Sequence, residues 1–174
     1  LSLYFGKQNL ILQIKNNLSI VYIKKEKDLN TDFQSKFILS LKKYLLNSIL
    51  IDIRQEGFDR IIYFDFEKLN QFGDIEKYTL TFEIMGKSSN IFLTENNKII
   101  NALSFSTLDQ GNRVIMTGAT YTLPFETKKI NPTYFNKENY KFKTSNDLMN
   151  NVEGIGKYFA LSTFHDYDLF KQYL

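Results

Sequence analysis

The chain has 174 residues, a formal net charge of +3, 43% hydrophobic and 24% charged residues, no cysteine and a single histidine. That length accommodates one domain plus part of a second, with enough apolar content for a real core. Disulfides and thiolate metal sites are excluded, one imidazole cannot hold zinc alone, and no run approaches the ~18 apolar residues of a membrane span.

Aromatic residues make up 16% of the chain, all of them Phe and Tyr, which favour pleated, half-buried surfaces. Leu10–Lys15 and Leu18–Ile23 alternate around Asn16-Asn17 and predict a β-hairpin. After a charged loop, Thr31 and Gln34 form a capping-box pattern, and Phe33, Phe37, Leu41, Tyr44 and Leu45 recur at helical spacing. An amphipathic helix near residues 32–46, its apolar stripe covering a sheet, is the expectation. Strands resume at Ile49–Arg54, Arg60–Phe66 and Tyr78–Met85. In the last, Tyr78, Leu80, Phe82 and Ile84 point one way and Thr79, Thr81, Glu83 and Met85 the other, so Glu83 is expected outside the core that Phe82 joins.

A hairpin at Asn96-Asn97 joins Asn90–Thr94 to Lys98–Leu103, and Arg113–Met116 and Thr120–Leu123 are candidate short strands. Lys128–Lys143 reads as a basic connector. From Ser145 the pattern turns helical, with Leu148, Val152, Ile155, Phe159 and Ala160 as candidate buried positions. The start at Leu1-Ser2-Leu3, without Met, reads as a piece of a longer protein. The fold class expected is α+β, mainly antiparallel sheets arranged as a sandwich with one packed helix. Residues 1–144 form the β-rich domain and 145–174 begin a helical, helix-hairpin-helix-like unit.

Two polar signatures interrupt the apolar strands: Gly57-Phe58-Asp59-Arg60 before Ile61, and Glu83-Ile84-Met85-Gly86-Lys87-Ser88-Ser89-Asn90 before Ile91. Charges at the mouth of buried strands cost free energy unless they are paired or used. Arg60 can fork onto a phosphate or stack on a base, and Asp59 can orient it or accept from a base edge. The same pair can instead be a salt bridge closing a hairpin. Gly86–Ser89 can form a backbone nest for phosphate, with Lys87 adding charge, or be a tight turn that needs a glycine. A nucleotide-hydrolysing loop is excluded, because Thr81 stands where the pattern requires the first Gly. Glu83 can partner Arg60 across neighbouring strands or take part in a cross-strand pair with a lysine.

Val152-Glu153-Gly154-Ile155-Gly156 resembles a helix-hairpin-helix turn, in which Gly154 and Gly156 let backbone N–H groups approach a phosphate; an ordinary turn between helices has the same look. Tyr134 and Tyr140, interleaved with Lys137, Lys141 and Lys143, either engage RNA or form a solvated connector. His165 beside Asp166 and Asp168 has no nucleophile nearby in sequence, so catalysis is not expected there.

The ordered series Gly57-x-Asp59-Arg60, Glu83-Ile84-Met85-Gly86-Lys87, Ser89-Asn90-Ile91, Arg113-Val114-Ile115, Gly118-Ala119-Thr120-Tyr121, Pro124 and Glu153-Gly154-Ile155-Gly156 resembles the amino-terminal domain of the NFACT family. That family takes in bacterial ribosome quality control factors and proteins labelled fibronectin- or fibrinogen-binding. Its extreme N-terminal segment, and its coiled coil and RNA-binding domain, are expected to lie outside this chain. The resemblance implies a cytoplasmic, ribosome-associated and non-catalytic protein without cofactors. Its partners would be tRNA and the large ribosomal subunit carrying peptidyl-tRNA, and its task tRNA recruitment for template-independent C-terminal alanine tailing. The family's older label implies a rival: a surface adhesin for fibronectin or fibrinogen. Carried over by motif, the tRNA-binding residues would be Asp59, Arg60, Glu83, Ile84, Met85, Gly86, Lys87, Ser88 and Asn90. Ser88 stands where the family usually has His, so stacking of an imidazole on a base is not available there. The family fold further resembles the N-terminal domain of formamidopyrimidine-type DNA glycosylases. This chain has neither their N-terminal Pro-Glu nor their four-cysteine zinc finger, which argues against base excision.

Overall fold

Two compact units divide the chain: residues Leu1–Arg54 with Ile61–Pro124, and Gln55–Arg60 with Phe125–Leu174. The structure, a computed structural model, describes residues 1–15, 18–26, 35–107, 113–124, 129–136, 138 and 141–173.

The first unit holds two antiparallel sheets, as the alternating patterns predict. Strands β1 (Ser2–Phe5), β2 (Gln8–Lys15) and β3 (Leu18–Lys24) form a three-stranded sheet in that order. Leu12 opposes Val21 and Ile14 opposes Ser19; the expected turn residues Asn16 and Asn17 lie outside the described residues. Strands β4 (Ile49–Gln55), β5 (Ile61–Leu69), β6 (Ile75–Glu83), β7 (Asn90–Glu95) and β8 (Lys98–Ala102) follow one another in a five-stranded meander. Asn96 and Asn97 both adopt positive φ, at 47° and 62°, as a two-residue hairpin requires.

Between the sheets in sequence lies helix α1 (Lys36–Leu45). Its N-cap is Ser35, whose hydroxyl accepts from the Ile38 amide at 3.3 Å. Thr31 and Gln34, the expected capping box, lie outside the described residues. Lys42 and Lys43 in the last turn favour the negative end of the helix dipole. Phe37 and Leu41 are buried with Leu12 of the small sheet and with Phe64, Phe66, Tyr78, Leu80, Phe82, Ile91 and Leu93 of the large one. One core therefore joins both sheets and the helix. The candidate strands at 113–116 and 120–123 are isolated bridges instead, Ser106 to Ile115 and Lys98 to Thr120.

In the second unit, helices α2 (Ser145–Asn151), α3 (Lys157–Thr163) and α4 (Tyr167–Gln172) close on Phe135, Leu148, Val152, Ile155, Ala160 and Phe170. Every predicted interior position of this segment is buried except Phe159, which is half-buried. A capping box starts α2: the Thr144 hydroxyl accepts from the Asp147 amide at 3.1 Å, and the Asp147 carboxylate accepts from the Thr144 amide at 2.9 Å.

Candidate functional site

The Gly57–Arg60 signature is a braced turn of the second unit. The Asp59 amide donates to the Glu56 carbonyl at 2.8 Å, and the Gln55 side-chain amide donates to the Asp59 carbonyl at 2.9 Å. Gly57 (φ 48°) and Gly154 (φ 67°) both occupy the left-handed region. A Cβ on Gly154 would fall 2.7 Å from both Cβ and the carbonyl oxygen of Phe58; one on Gly57 would fall 2.8 Å from a Glu153 carboxylate oxygen. The two glycine-bearing signatures, read separately in sequence, are thus packed backbone against backbone. The missing side chain of Gly154 is spent on Phe58. A Cβ on Gly156, at the N-cap of α3 with φ −87°, would meet nothing within 4 Å.

The chain has three arginines. Arg54 is paired with Asp65 at 2.7 Å and lies over the Tyr63 ring, and Arg113 is paired with Glu83. Arg60 is exposed and makes no hydrogen bond or ion pair with any described residue, so it is not the strand-closing salt bridge that was one reading of the motif. Its neighbour Asp59 is under electrostatic load. Burial pushes its carboxyl above the ordinary value of 3.8; Lys129 opposes this, Glu56 adds to it, and Arg60 opposes it again. A carboxyl with a raised folded-state pKa favours folding while it stays protonated and works against folding once pH rises through that raised value. Asp59→Asn is therefore expected to raise the melting temperature at neutral pH. That gain should shrink as pH falls into the ordinary carboxyl range, which thermal unfolding at stepped pH measures.

The second signature divides into an interior and a tip. Glu83 is 1% exposed, buried on the opposite face of β6 and outside the core that Phe82 joins, as alternation predicts. Its partner is not Arg60: one carboxylate oxygen accepts from the Arg113 guanidinium, the other from the Tyr121 hydroxyl at 2.8 Å. Arg113 also donates to the Thr122 carbonyl and lies over the rings of Phe92 and Tyr121. Burial, then the Glu83 charge and its hydrogen bond, drive the Tyr121 phenol far above its ordinary pKa, so it remains a donor. Segment 113–121 is pinned along β8, with the Tyr121 amide donating to the Asn97 carbonyl at 2.9 Å and Ile99 to the Ala119 carbonyl at 2.8 Å. Strand alternation gives the face but not this burial, because the second face of β6 is also roofed. The signal available was a lone Arg113 next to Val114 and Ile115, matching a Glu in an apolar strand.

Asn90 is likewise interior, at 3% exposure. Its side-chain amide donates to the Ser104 carbonyl at 2.8 Å and its oxygen accepts from the amides of Ile91 and Ser104. Glu83 and Asn90 are thus fully engaged inside the protein. Ile84 packs against the main core, Met85 and Gly86 are half-buried, and Lys87 and Ser88 stand exposed at the tip. The turn is a single 3-10 segment over Gly86–Ser88 with Gly86 at φ 57°. Ser89 organises it: its hydroxyl accepts from the Met85 amide at 2.8 Å, donates to the Gly86 carbonyl at 2.9 Å and receives a hydrogen bond from Ser19 of β3 at 2.8 Å. The amides of Met85, Ser88 and Ser89 are all bonded within the turn.

Comparison with known proteins agrees with the motif series. A family model described as NFACT N-terminal and middle domains matches residues 1–173. The Rqc2 homolog RqcH of Streptococcus suis (strain 05ZYH33) is 40% identical over 106 residues, 59% of this chain and 19% of that protein. The Rqc2 homolog RqcH of Bacillus subtilis (strain 168) is 27% identical over 168 residues, 91% of this chain and 30% of that protein. The chain thus spans well under half the length of these relatives. Among solved structures, the N-terminal domain of fibronectin-binding protein PavA from Streptococcus pneumoniae is similar with a TM-score of 0.75 at 27% identity, over 92% of this chain and 67% of that one. The N-terminal part of the fibronectin/fibrinogen-binding protein from Streptococcus suis gives 0.74 at 28% identity, over 97% and 72%.

Proposed function

This chain belongs to the NFACT family, and from that premise we propose that it is part of a ribosome quality control factor whose Asp59-Arg60 turn contacts tRNA. In this reading the whole protein binds large ribosomal subunits obstructed by peptidyl-tRNA and recruits tRNA for template-independent alanine tailing. The ribosome supplies peptidyl transfer; the chain acts by binding. The observation that carries the proposal is the guanidinium of Arg60, exposed on a hydrogen-bonded turn and without an ion pair among the described residues, while the other two arginines are committed to carboxylates. A guanidinium left unpaired beside a carboxyl that is itself destabilised is poised for an external partner with phosphates and base edges. At the other signature only Lys87 and Ser88 are exposed to offer side-chain contacts, with Ile84, Met85 and Gly86 shaping their turn.

In the intact protein, replacing Asp59 and Arg60 together by Ala is expected to abolish tail addition while leaving the fold unchanged. Tailing assays on purified obstructed subunits check this; undiminished tails from a folded double variant would refute it. The names of the solved neighbours favour a second reading, a surface adhesin for fibronectin or fibrinogen. Cell fractionation separates the two: ribosome-associated material supports the first reading, and surface-exposed material the second.

A further inference from the structure

A cavity of about 220 Å³ opens in the second unit beside the Asp59-Arg60 turn, lined among others by Phe58, Glu153, Phe159 and Tyr173. It is smaller than the roughly 300–1,000 Å³ of pockets that take drug-sized ligands, so it suits one ring system. Three of its walls are aromatic. Phe58 is fixed by its contact with Gly154, Phe159 is half-buried, and Tyr173 is 68% exposed with its ring edge-on to Phe159 at 6.4 Å. The fourth named wall is a carboxylate. Glu153 is held against Gly57 and makes no side-chain hydrogen bond or ion pair with a described residue. A carboxylate repels the phosphate backbone of a nucleic acid. It accepts well from the exocyclic amine of a base, and its two oxygens match two parallel N–H donors.

We propose that this cavity is a subsite for a single unpaired nucleobase carrying an exocyclic amine, stacked on the aromatic walls and read by Glu153. The proposal rests on the tRNA reading above and adds the base class that the site selects. Guanine offers N1–H and N2–H side by side, and cytosine and adenine offer one amine beside a ring acceptor. Uracil has no exocyclic amine, and its one donor, N3–H, is flanked by two carbonyl oxygens that repel the carboxylate, so it is disfavoured. Aromatic stacking is tolerant of sequence, so the rings set affinity and Glu153 sets choice.

The test is titration of the ¹⁵N-labelled 174-residue chain with GMP, CMP and UMP, followed at the Gly57 and Gly154 amides. GMP and CMP are expected to move both resonances, with UMP about tenfold weaker. Glu153→Gln should erase that difference, because an amide donates as well as accepts. Tyr173→Ala, at an exposed position, should weaken all three nucleotides together. Equal responses to the three nucleotides, silence at both amides, or a base preference that survives in Glu153→Gln would overturn the subsite. Tailing by the intact protein that depends on Asp59 and Arg60 would then still stand, so the two claims fail separately.

Discussion

Arg113→Ala is expected to lower the stability of the β-rich unit by about 3 to 5 kcal/mol, because it strands the Glu83 carboxylate in the interior without its cation. The cost of a lone buried charge far exceeds the net value of the pair that hid it. Truncation of Arg113 also removes its bond to the Thr122 carbonyl and its stacking on Phe92 and Tyr121, loosening the segment that roofs β6. Urea unfolding reads the loss as a lower midpoint at an unchanged slope. Replacing Glu83 and Arg113 together by Met should recover much of the deficit, since no charge is then left unmatched. A single variant within about 1 kcal/mol of the parent would mean that the interior carboxylate finds another partner. The consequence for function is positional. Glu83 ends β6 and Met85 opens the Lys87 turn two residues later, so Glu83 and Arg113 act on that turn by holding its stem.

Gly154→Ala should be the most damaging small change in the second unit. It places a Cβ in the left-handed region and drives it into the Phe58 backbone at 2.7 Å, an expected cost of about 2 to 5 kcal/mol for strain and overpacking together. Gly156→Ala is the internal control: φ is −87° and the space is empty, so the change should stay within about 1 kcal/mol. Hydrogen exchange of the Val152 and Ala160 amides, bonded to the carbonyls of Leu148 and Gly156, reports this unit separately from the sheets. Equal protection in the two variants would show that the Phe58 contact is dispensable.

Much of this architecture is legible in the chain because local chemistry and the fold agree. Asn96-Asn97 predicts a hairpin since few residues other than asparagine and glycine take positive φ readily, and both do so here. Tyr78, Leu80 and Phe82 alternate onto the main core as the period of two requires. Glu83 was not legible in this way. Alternation assigns a face to a strand residue but says nothing about what a distant loop lays over that face, and the Glu83–Arg113 pair is separated by 30 positions. Likewise the glycines at 57 and 154 announce special backbone conformations, yet nothing local says that the two turns meet. The Asp59-Arg60 motif was legible as a signature, while the lack of an Arg60 ion pair among the described residues needed the structure, because it depends on where the carboxylates lie.

The central claim is that the Asp59-Arg60 turn meets tRNA. Sequencing the RNA crosslinked to the intact protein in cells, beside the Asp59→Ala/Arg60→Ala variant, tests it most directly. Strong enrichment of tRNA with the parent, lost in a variant that still folds, is the predicted result. Absence of tRNA from the parent's crosslinks, or its full retention by the variant, would contradict it.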